Sequence, residues 1–255
     1  TYSMYPEYAR DTFTEYVTFP RAEDFTLDVA EAVDEVITRR PSIVIVTSPN
    51  NPTGTAIPPS DIRAVATAAL SVGAILVVDE AYAEFRHTGV PSAMSLFADY
   101  PNLVVIRTMS KAFALAGARL GYLAAADPRV VDALRVVRLP YHLSGVTQAV
   151  ALTALENADV LQAQVDLLRT ERDALADWLV DHGFTVSPSE ANFLLFGMFD
   201  DRHAVWQGLL DRGVLIRETG PTGWLRVSIG TPHENTMFRT ALLEVTGRTP
   251  VPSAS

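Results

Sequence analysis

The sequence contains no cysteine and little positive charge. Without cysteine, disulfides, thiolate catalysis and cysteine-ligated metals are excluded. The 20 basic residues stand against 30 acidic ones, and the resulting net charge of -10 argues against nucleic acid as the main partner. The longest apolar run, around residues 73–78, is far too short to cross a membrane, and the histidines have no metal-ligand spacing. Because no signal peptide opens the chain, we expect a cytoplasmic protein.

Lysine is almost absent as well. Of the 20 basic residues only Lys111 is a lysine, and the others are arginine. Composition alone is equally compatible with the chance survival of one surface lysine. A position that must lose its proton and attack a carbonyl group, however, requires an amine and cannot use a guanidinium. The residues around Lys111 decide between these two interpretations.

Short apolar runs rich in β-branched residues alternate with helical patterns in the first half of the chain. Such runs are typical of strands buried on both faces, and their alternation with helices predicts a parallel sheet. The predicted strands are Ile43–Val46, Ile75–Val78, Leu103–Ile106 and Leu120–Ala124, and the predicted helices are Asp28–Arg39, Pro59–Leu70 and Asp127–Arg138.

The second half has an α+β pattern. Its predicted helices are Val146–Asn157, Val160–Asp181, Asp201–Arg212 and Glu234–Val245, and its predicted strands are Phe184–Val186, Asn192–Phe196, Val214–Ile216 and Trp224–Ile229. We therefore predict an α/β fold with a mostly parallel sheet in a large domain at residues 1–144. Linking helices and a smaller C-terminal domain follow at 145–246, and a disordered tail at 247–255.

Polar side chains stand just beyond each predicted strand of the first half. Asn51 lies in the loop SPNNPTG after the first strand, and Asp79 and Tyr82 follow the second in VVDEAY. Ser110 and Lys111 follow the third. Read singly, the loop is an ordinary turn and the acidic residue a helix cap. Because α/β proteins place ligand groups at the carboxyl ends of parallel strands, their succession favours a binding site.

Four motifs carry a resemblance to a known family. They are SPNNPTG at 48–54, VVDEAY at 77–82, TMSKAFALAGARLGYL at 108–123 and LRVSIGTPHEN at 225–235, with TYSMY at 1–5 as a fifth, shorter match. The chain resembles the fold-type I pyridoxal-phosphate (PLP) aminotransferases, and among them the histidinol-phosphate aminotransferase family. The resemblance implies that family's fold, a PLP cofactor and transamination of L-histidinol phosphate with 2-oxoglutarate in histidine biosynthesis.

The resemblance also implies roles for individual residues. Lys111 would form the Schiff base with PLP and later move the proton of the reaction. Asp79 would pair with the protonated ring nitrogen, and Tyr82 and Asn51 would hydrogen-bond the phenolic oxygen of the ring. The cofactor phosphate would be bound by Thr108, Ser110 and Arg119. The ring of Tyr2 would stack on the cofactor ring.

Two arginines of the second half look like the family's substrate-anion residues. Arg226 lies in the continuous motif match, whereas Arg217 could equally mark an exposed strand face. One site must accept an amino donor with a phosphate and a 2-oxo acid with a carboxylate, and guanidinium suits both anions. The resemblance further implies a homodimer with shared active sites.

Two reservations accompany the resemblance. Members of the family carry a further segment before the one that matches residue 1, so we expect the N-terminal part of the family fold to be absent from this chain. The motifs also leave three alternatives open: an aromatic amino acid aminotransferase, a PLP-dependent amino-acid-phosphate decarboxylase, and a truncated domain without activity.

Overall fold

The computed structural model describes residues 2–249, which form two α/β units. Each unit, called a layer below, consists of one β-sheet and the helices packed against it. The helices are α1 (Tyr5–Asp11), α2 (Val29–Arg39), α3 (Pro59–Ser71), α4 (Pro128–Val137), α5 (Gly145–Glu156), α6 (Ala158–Asp181), α7 (Arg202–Leu210) and α8 (Pro232–Thr246). The strands are β1 (Ile43–Thr47), β2 (Ile75–Asp79), β3 (Leu103–Thr108), β4 (Gly121–Ala125), β5 (Thr185–Val186), β6 (Phe193–Gly197) and β7 (Trp224–Ser228).

The first sheet has the order β1-β2-β3-β4. β1, β2 and β3 are parallel, and their register pairs Thr47 with Asp79 and Asp79 with Ile106. β4 runs antiparallel to β3, so the fourth predicted strand belongs to the sheet but departs from the expected alternation. The link between β3 and β4, residues 109–120, contains one 3-10 turn but no α-helix, whereas two parallel strands are usually connected by a crossover helix.

The core of this layer lies between the sheet and helices α2 and α3. Leu76, Val78 and Leu103 are fully buried there, beside Val65 and Ala69 of α3. Each buried aliphatic side chain of this size contributes about 1.5–3 kcal/mol relative to exposure. This packing holds the strands rigidly, and their carboxyl ends therefore form a fixed edge.

The second layer packs the antiparallel sheet β5-β6-β7 against α6, α7 and α8. The prediction of a strand at Val214–Ile216 is wrong, because none of the three residues pairs in a sheet; the isolated bridge between Arg217 and Arg226 begins one residue later. The apolar run serves a different purpose, since Ile216 is buried in the core while its neighbours Leu215 and Arg217 are exposed. Helix α1 was not predicted, since seven residues rich in tyrosine carry no helical periodicity.

The end of the described chain docks on the second layer. Gly247 ends α8 in the left-handed conformation, with φ of 64°. The Arg248 guanidinium donates to the carbonyl oxygen of His182 and lies 4.1 Å from the ring centroid of Phe184. Residues 250–255 of the predicted tail lie outside the described residues. Within residues 2–249 no helix is long and apolar enough to span a membrane.

Candidate active site

The carboxyl ends of β1, β2 and β3 bring the predicted polar residues to one edge of the first sheet. Parallel register places the end of β2, with Asp79, between the loop after β1 and the loop after β3. The loop after β1 is held from the second layer, since Glu190 N donates to the Gly54 carbonyl at 2.8 Å. Gly54 has φ of +80°, and a Cβ there would lie 2.7 Å from the Cβ of Ser189. Only glycine fits this close approach.

Asp79 ends β2 with a partly buried carboxylate. Its Oδ1 accepts from the Ala81 backbone N at 3.0 Å, and its Oδ2 accepts from the hydroxyl of Tyr5 in α1. Burial raises the pKa of Asp79, and the two donors oppose this shift without cancelling it. A cation close to the carboxylate would therefore be strongly favoured, because it would restore the charged form in a poorly solvated position.

Lys111 lies in the loop after β3, with its Nζ 5.7 Å from the ring centroid of Tyr82. Partial desolvation lowers the pKa of Lys111, and the positive charges of Arg226 and Arg119 lower it further. The amine thus loses its proton more readily than an ordinary lysine, which is the requirement for a nucleophile. Tyr82 is itself half-buried, and burial raises the pKa of its hydroxyl.

Arg226 of β7 reaches across from the second layer. Its Nη1 donates to Asn51 Oδ1 in the loop after β1, and its guanidinium lies 4.8 Å from the ring centroid of Phe193. Burial lowers the pKa of Arg226, and the buried Nε has no hydrogen-bond partner among the described residues. Arg217 pairs with Arg226 through reciprocal backbone hydrogen bonds, and the two line an open cavity of about 430 Å³ with Ser228.

The predicted phosphate-binding residues lie at the end of β3 (Thr108) and on the loop between β3 and β4 (Ser110 and Arg119). The Thr108 hydroxyl accepts from Ser110 N at 3.1 Å, which folds the loop back on the strand end. Arg119 has a left-handed backbone, with φ of 53°, and donates to the Ala116 carbonyl at 2.9 Å. It forms no ion pair with any of the residues that the structure describes, so its charge is available to an anion.

Tyr2 lies beside the site, exposed, with its ring centroid 5.6 Å from that of Tyr5 and nearly perpendicular to it. All ten predicted site residues therefore fall around one edge: Tyr2, Asn51, Asp79, Tyr82, Thr108, Ser110, Lys111, Arg119, Arg217 and Arg226. Two pairs of these side chains meet closely: Asn51 accepts a hydrogen bond from Arg226, and the Lys111 amine lies over the ring of Tyr82.

Sequence reasoning missed two residues that shape the site. Tyr5 is the donor to Asp79, and the spacing within TYSMY carried no sign of it. Phe193 stands between two predicted residues, in edge contact with Tyr82 at 5.1 Å and beneath Arg226. Its place directly after Asn192 in a strand pattern marked it only as core.

Comparisons with known proteins agree with this geometry. The family model "Aminotransferase class I and II" matches residues 1–242. The histidinol-phosphate aminotransferase of Thermobifida fusca (strain YX) is 63% identical over 248 residues, 97% of this chain and 66% of that protein. That of Bifidobacterium longum (strain NCC 2705) is 54% identical over 260 residues, 96% of this chain and 67% of that protein.

A solved structure is also similar. The crystal structure of histidinol-phosphate aminotransferase from Sinorhizobium meliloti, in complex with pyridoxal-5'-phosphate, superposes with a TM-score of 0.86 at 28% identity. The match covers 96% of this chain and 67% of that chain, so this chain spans about two-thirds of the length of its relatives. Since the family model covers nearly the whole chain and the polar strand ends converge as such a site requires, the chain belongs to the aminotransferase class I and II family.

Proposed function

We propose that this chain carries the site for PLP-dependent transamination of L-histidinol phosphate with 2-oxoglutarate, giving imidazole-acetol phosphate and glutamate. The observation that carries the proposal is the position of the single lysine. Lys111 lies at the end of β3, beside Tyr82, with its pKa lowered by desolvation and by two arginines. The relatives at 54–63% identity are histidinol-phosphate aminotransferases, which favours histidinol phosphate over the aromatic amino acid and decarboxylase alternatives.

The residues present fit PLP in three respects. Asp79 is a buried carboxylate that a protonated ring nitrogen would keep charged. Arg119 has no carboxylate partner among the described residues, and with Thr108 and Ser110 it would hold the cofactor phosphate. The donor Nε of Arg226 is buried without a hydrogen-bond partner among the described residues, and a bound anion would supply the missing acceptor.

PLP, when bound, supplies an aldehyde for the substrate amine and a ring that accepts electrons from the substrate carbon. The protein supplies the rest. Lys111 Nζ, as a free amine, can accept the proton of the carbon that bears the substrate amino group and return it. Asp79 would maintain the positive charge of the ring nitrogen, and Tyr82 and Asn51 would hydrogen-bond the phenolic oxygen. Tyr2 would cover the ring face.

Two arginines would recognise both substrates. Arg226 and Arg217 are joined by backbone hydrogen bonds, so their side chains leave neighbouring positions of the second layer. Planar guanidinium groups bind phosphate and carboxylate alike, which allows one site to take histidinol phosphate and then 2-oxoglutarate. Because the net charge is -10, this local pair must attract the substrates against the overall field.

The proposal includes the homodimer implied by the resemblance. Helices α4 and α5 and the segment between them expose large apolar side chains, among them Val136, Leu139 and Val146. Contiguous apolar surface of this kind is typical of a face that another chain segment or a second copy covers.

The test is the visible spectrum of the PLP-loaded protein before and after addition of histidinol phosphate, without a keto acid. We expect the band of protein-bound PLP to fall and that of pyridoxamine phosphate to rise. Lys111→Ala and Lys111→Arg should both abolish turnover, since the second keeps the charge but not the nucleophile. Turnover in either variant would contradict the role of Lys111. A response to phenylalanine alone would support the aromatic amino acid alternative. Release of carbon dioxide from a separately added amino-acid phosphate that carries a carboxylate would support the decarboxylase alternative.

A further inference from the structure

Arg172 is a charged residue that the proposed reaction does not use, yet its side chain is only 1% exposed. It lies in α6, outside the site. Burial of a guanidinium is costly unless every donor finds a partner. The position of Arg172 therefore requires an explanation in terms of what its donors contact.

The guanidinium of Arg172 connects two stretches of backbone that belong to different layers. Its Nη1 donates to the Phe85 carbonyl at 2.8 Å and to the Ala191 carbonyl at 3.1 Å. Phe85 comes three residues after Tyr82, and Ala191 comes two residues before Phe193. One nitrogen atom thus joins the segment that carries Tyr82 to the segment that carries Phe193.

These two segments meet again at their aromatic rings. Tyr82 and Phe193 are in edge contact, with centroids 5.1 Å apart and planes at 88°. Phe193 in turn lies 4.8 Å beneath the Arg226 guanidinium, and Tyr82 lies 5.7 Å from the Lys111 amine. The relative position of the two segments therefore contributes to the distance between Arg226 and Lys111, beside the hydrogen bond that Arg226 donates to Asn51.

We propose that Arg172 is a positioning residue for the candidate active site: by bridging the Phe85 and Ala191 carbonyls it holds Tyr82 against Phe193, and so places Arg226 relative to Lys111. The inference rests on the proposed aminotransferase function for its importance to the reaction. Its geometry stands independently, because every contact is made by residues of this chain.

Neighbouring groups fix the orientation of the guanidinium. Asp173 Oδ1 accepts from Arg172 Nε at 2.9 Å and balances its charge. Arg172 Nη2 lies 3.0 Å from His87 Nε2, and His87 is held by Glu190. A lysine could not reproduce this planar arrangement of several donors.

The single lysine makes a direct test possible. In protein labelled with ¹⁵N-lysine, Lys111 gives one side-chain signal, and its titration reports the amine pKa without cofactor or substrate. Arg226 lowers that pKa in the native site. In Arg172→Gln, whose shorter side chain withdraws the donor nitrogen from the two carbonyls, we expect the Lys111 pKa to rise toward the ordinary value of about 10.4. An unchanged titration in a folded variant would overturn the proposal.

The matched control is Arg169→Gln. Arg169 lies one turn earlier on α6, and its guanidinium donates to the Arg86 carbonyl at 2.8 Å and to Asp166, with no hydrogen bond to the described residues just before Phe193. This variant removes the same charge but not the bridge, so the Lys111 titration should stay at the wild-type position. An equal shift in both variants would mean that charge, and not positioning, is responsible, and would also overturn the proposal.

A milder variant covers the case in which Arg172→Gln does not fold. Asp173→Asn leaves Arg172 in place but weakens the ion pair that orients it, and we expect a smaller rise of the Lys111 pKa. Loss of a negative charge by itself would lower that pKa, so the sign separates the two effects. A fall in the pKa would overturn the proposal. If the pKa shifts occur but histidinol phosphate leaves the spectrum unchanged, the positioning role stands and the proposed function fails.

Discussion

Burial and hydrogen bonding have opposite effects on the pKa of the Asp79 carboxylate. Burial raises its pKa, while Tyr5 and the Ala81 backbone stabilise the charged form. The shift is upward, so burial is the larger effect. The hydroxyl of Tyr5 therefore limits how far Asp79 moves toward its neutral form.

Tyr5→Phe tests this balance. The substitution removes the donor, and the pKa of Asp79 should rise further. A hydrogen bond to a charged group is worth about 1.5–3 kcal/mol, so the free energy of unfolding at pH 7 should fall by an amount in that range. Below the folded pKa of Asp79 the carboxyl group is protonated, so the Tyr5 hydroxyl no longer has a charge to stabilise. The difference in free energy of unfolding between wild type and Tyr5→Phe should therefore shrink as the pH falls through that pKa.

Urea unfolding of both proteins at several pH values measures the effect. Tyr100→Phe is the control, because the Tyr100 hydroxyl is bonded to the neutral Thr67 hydroxyl at 3.0 Å. Its loss should cost about 0.5–1.5 kcal/mol with no dependence on Asp79. A pH-independent loss in Tyr5→Phe would show that the hydroxyl does not stabilise the charge of Asp79.

At the scale of single residues, the sequence predicts the site residues that come directly after a strand. Asp79 and Lys111 follow apolar runs whose parallel pairing could be inferred, so their meeting at one edge was predictable. Tyr5, Phe193 and Arg172 act through partners 74, 111 and 87 residues away respectively. No local pattern encodes such partners, because they depend on how the two layers pack.

At the scale of secondary-structure elements, a buried ion network fastens the end of β2 to β3. Glu80 is fully buried and accepts from Arg107 Nη2 at 2.6 Å and from Arg107 Nε at 3.0 Å. It also accepts from the Ser92 hydroxyl and the Ala93 backbone N, both at 2.7 Å. Arg107 comes one residue before Thr108, so the network anchors the start of the loop that carries Lys111.

Glu80→Gln should therefore be strongly destabilising. Glu80 also forms the only ion pair of the buried Arg86 among the described residues, and without Glu80 the charge of Arg107 is balanced by Glu84 alone. Removing one partner of a buried pair in this way costs about 3–5 kcal/mol. Chemical denaturation at pH 7 measures the loss. Glu84→Gln removes only the second, more accessible ion pair of Arg107, at 3.0 Å, and should cost clearly less. Equal losses in the two variants would mean that Glu80 contributes no more than a partly exposed pair.

Most elements were predictable from the chain because caps and periodicity agree. Asp28, Asp127 and Ser144 each accept a backbone N–H at the start of a helix. The direction of β4 was not predictable, since an apolar run carries no sign of which way its strand points. The failure at Val214–Ile216 has a similar cause: one buried residue between exposed neighbours resembles a strand without pairing as one.

At the scale of the whole molecule, the site exists only because two layers are held together. Arg226 with Asn51, Glu190 N with the Gly54 carbonyl, and the Ser187 hydroxyl with the Thr53 carbonyl at 2.8 Å all cross between them. His87 is part of the same junction. Its Nδ1 lies 2.8 Å from Glu190 Oε1, and its backbone N donates to Glu190 Oε2 at 2.6 Å.

His87 makes this junction sensitive to pH. Its Nε2 lies 3.1 Å from Asp173 Oδ2 and 3.0 Å from Arg172 Nη2, so the ring donates to Asp173 when protonated and can accept from Arg172 only when neutral. Glu190 first, and Asp173 after it, raise the pKa of His87, while desolvation and Arg172 oppose them. The protonated form is therefore favoured in the folded state.

The sign of the effect on stability follows. A histidine whose folded pKa lies above its unfolded value of about 6.5 stabilises the fold fully below that pH. The contribution is lost as the pH rises through the folded pKa. We expect the difference in free energy of unfolding between wild type and His87→Gln to be largest near pH 5.5–6 and to decline above about pH 6.5. Urea unfolding across this range measures this difference.

In a Glu190→Gln background the same His87→Gln substitution should change the free energy of unfolding less, because the largest cause of the raised His87 pKa is gone. A difference that grows as the pH rises would instead mean that neutral His87, accepting from Arg172, is the form that holds the two layers together.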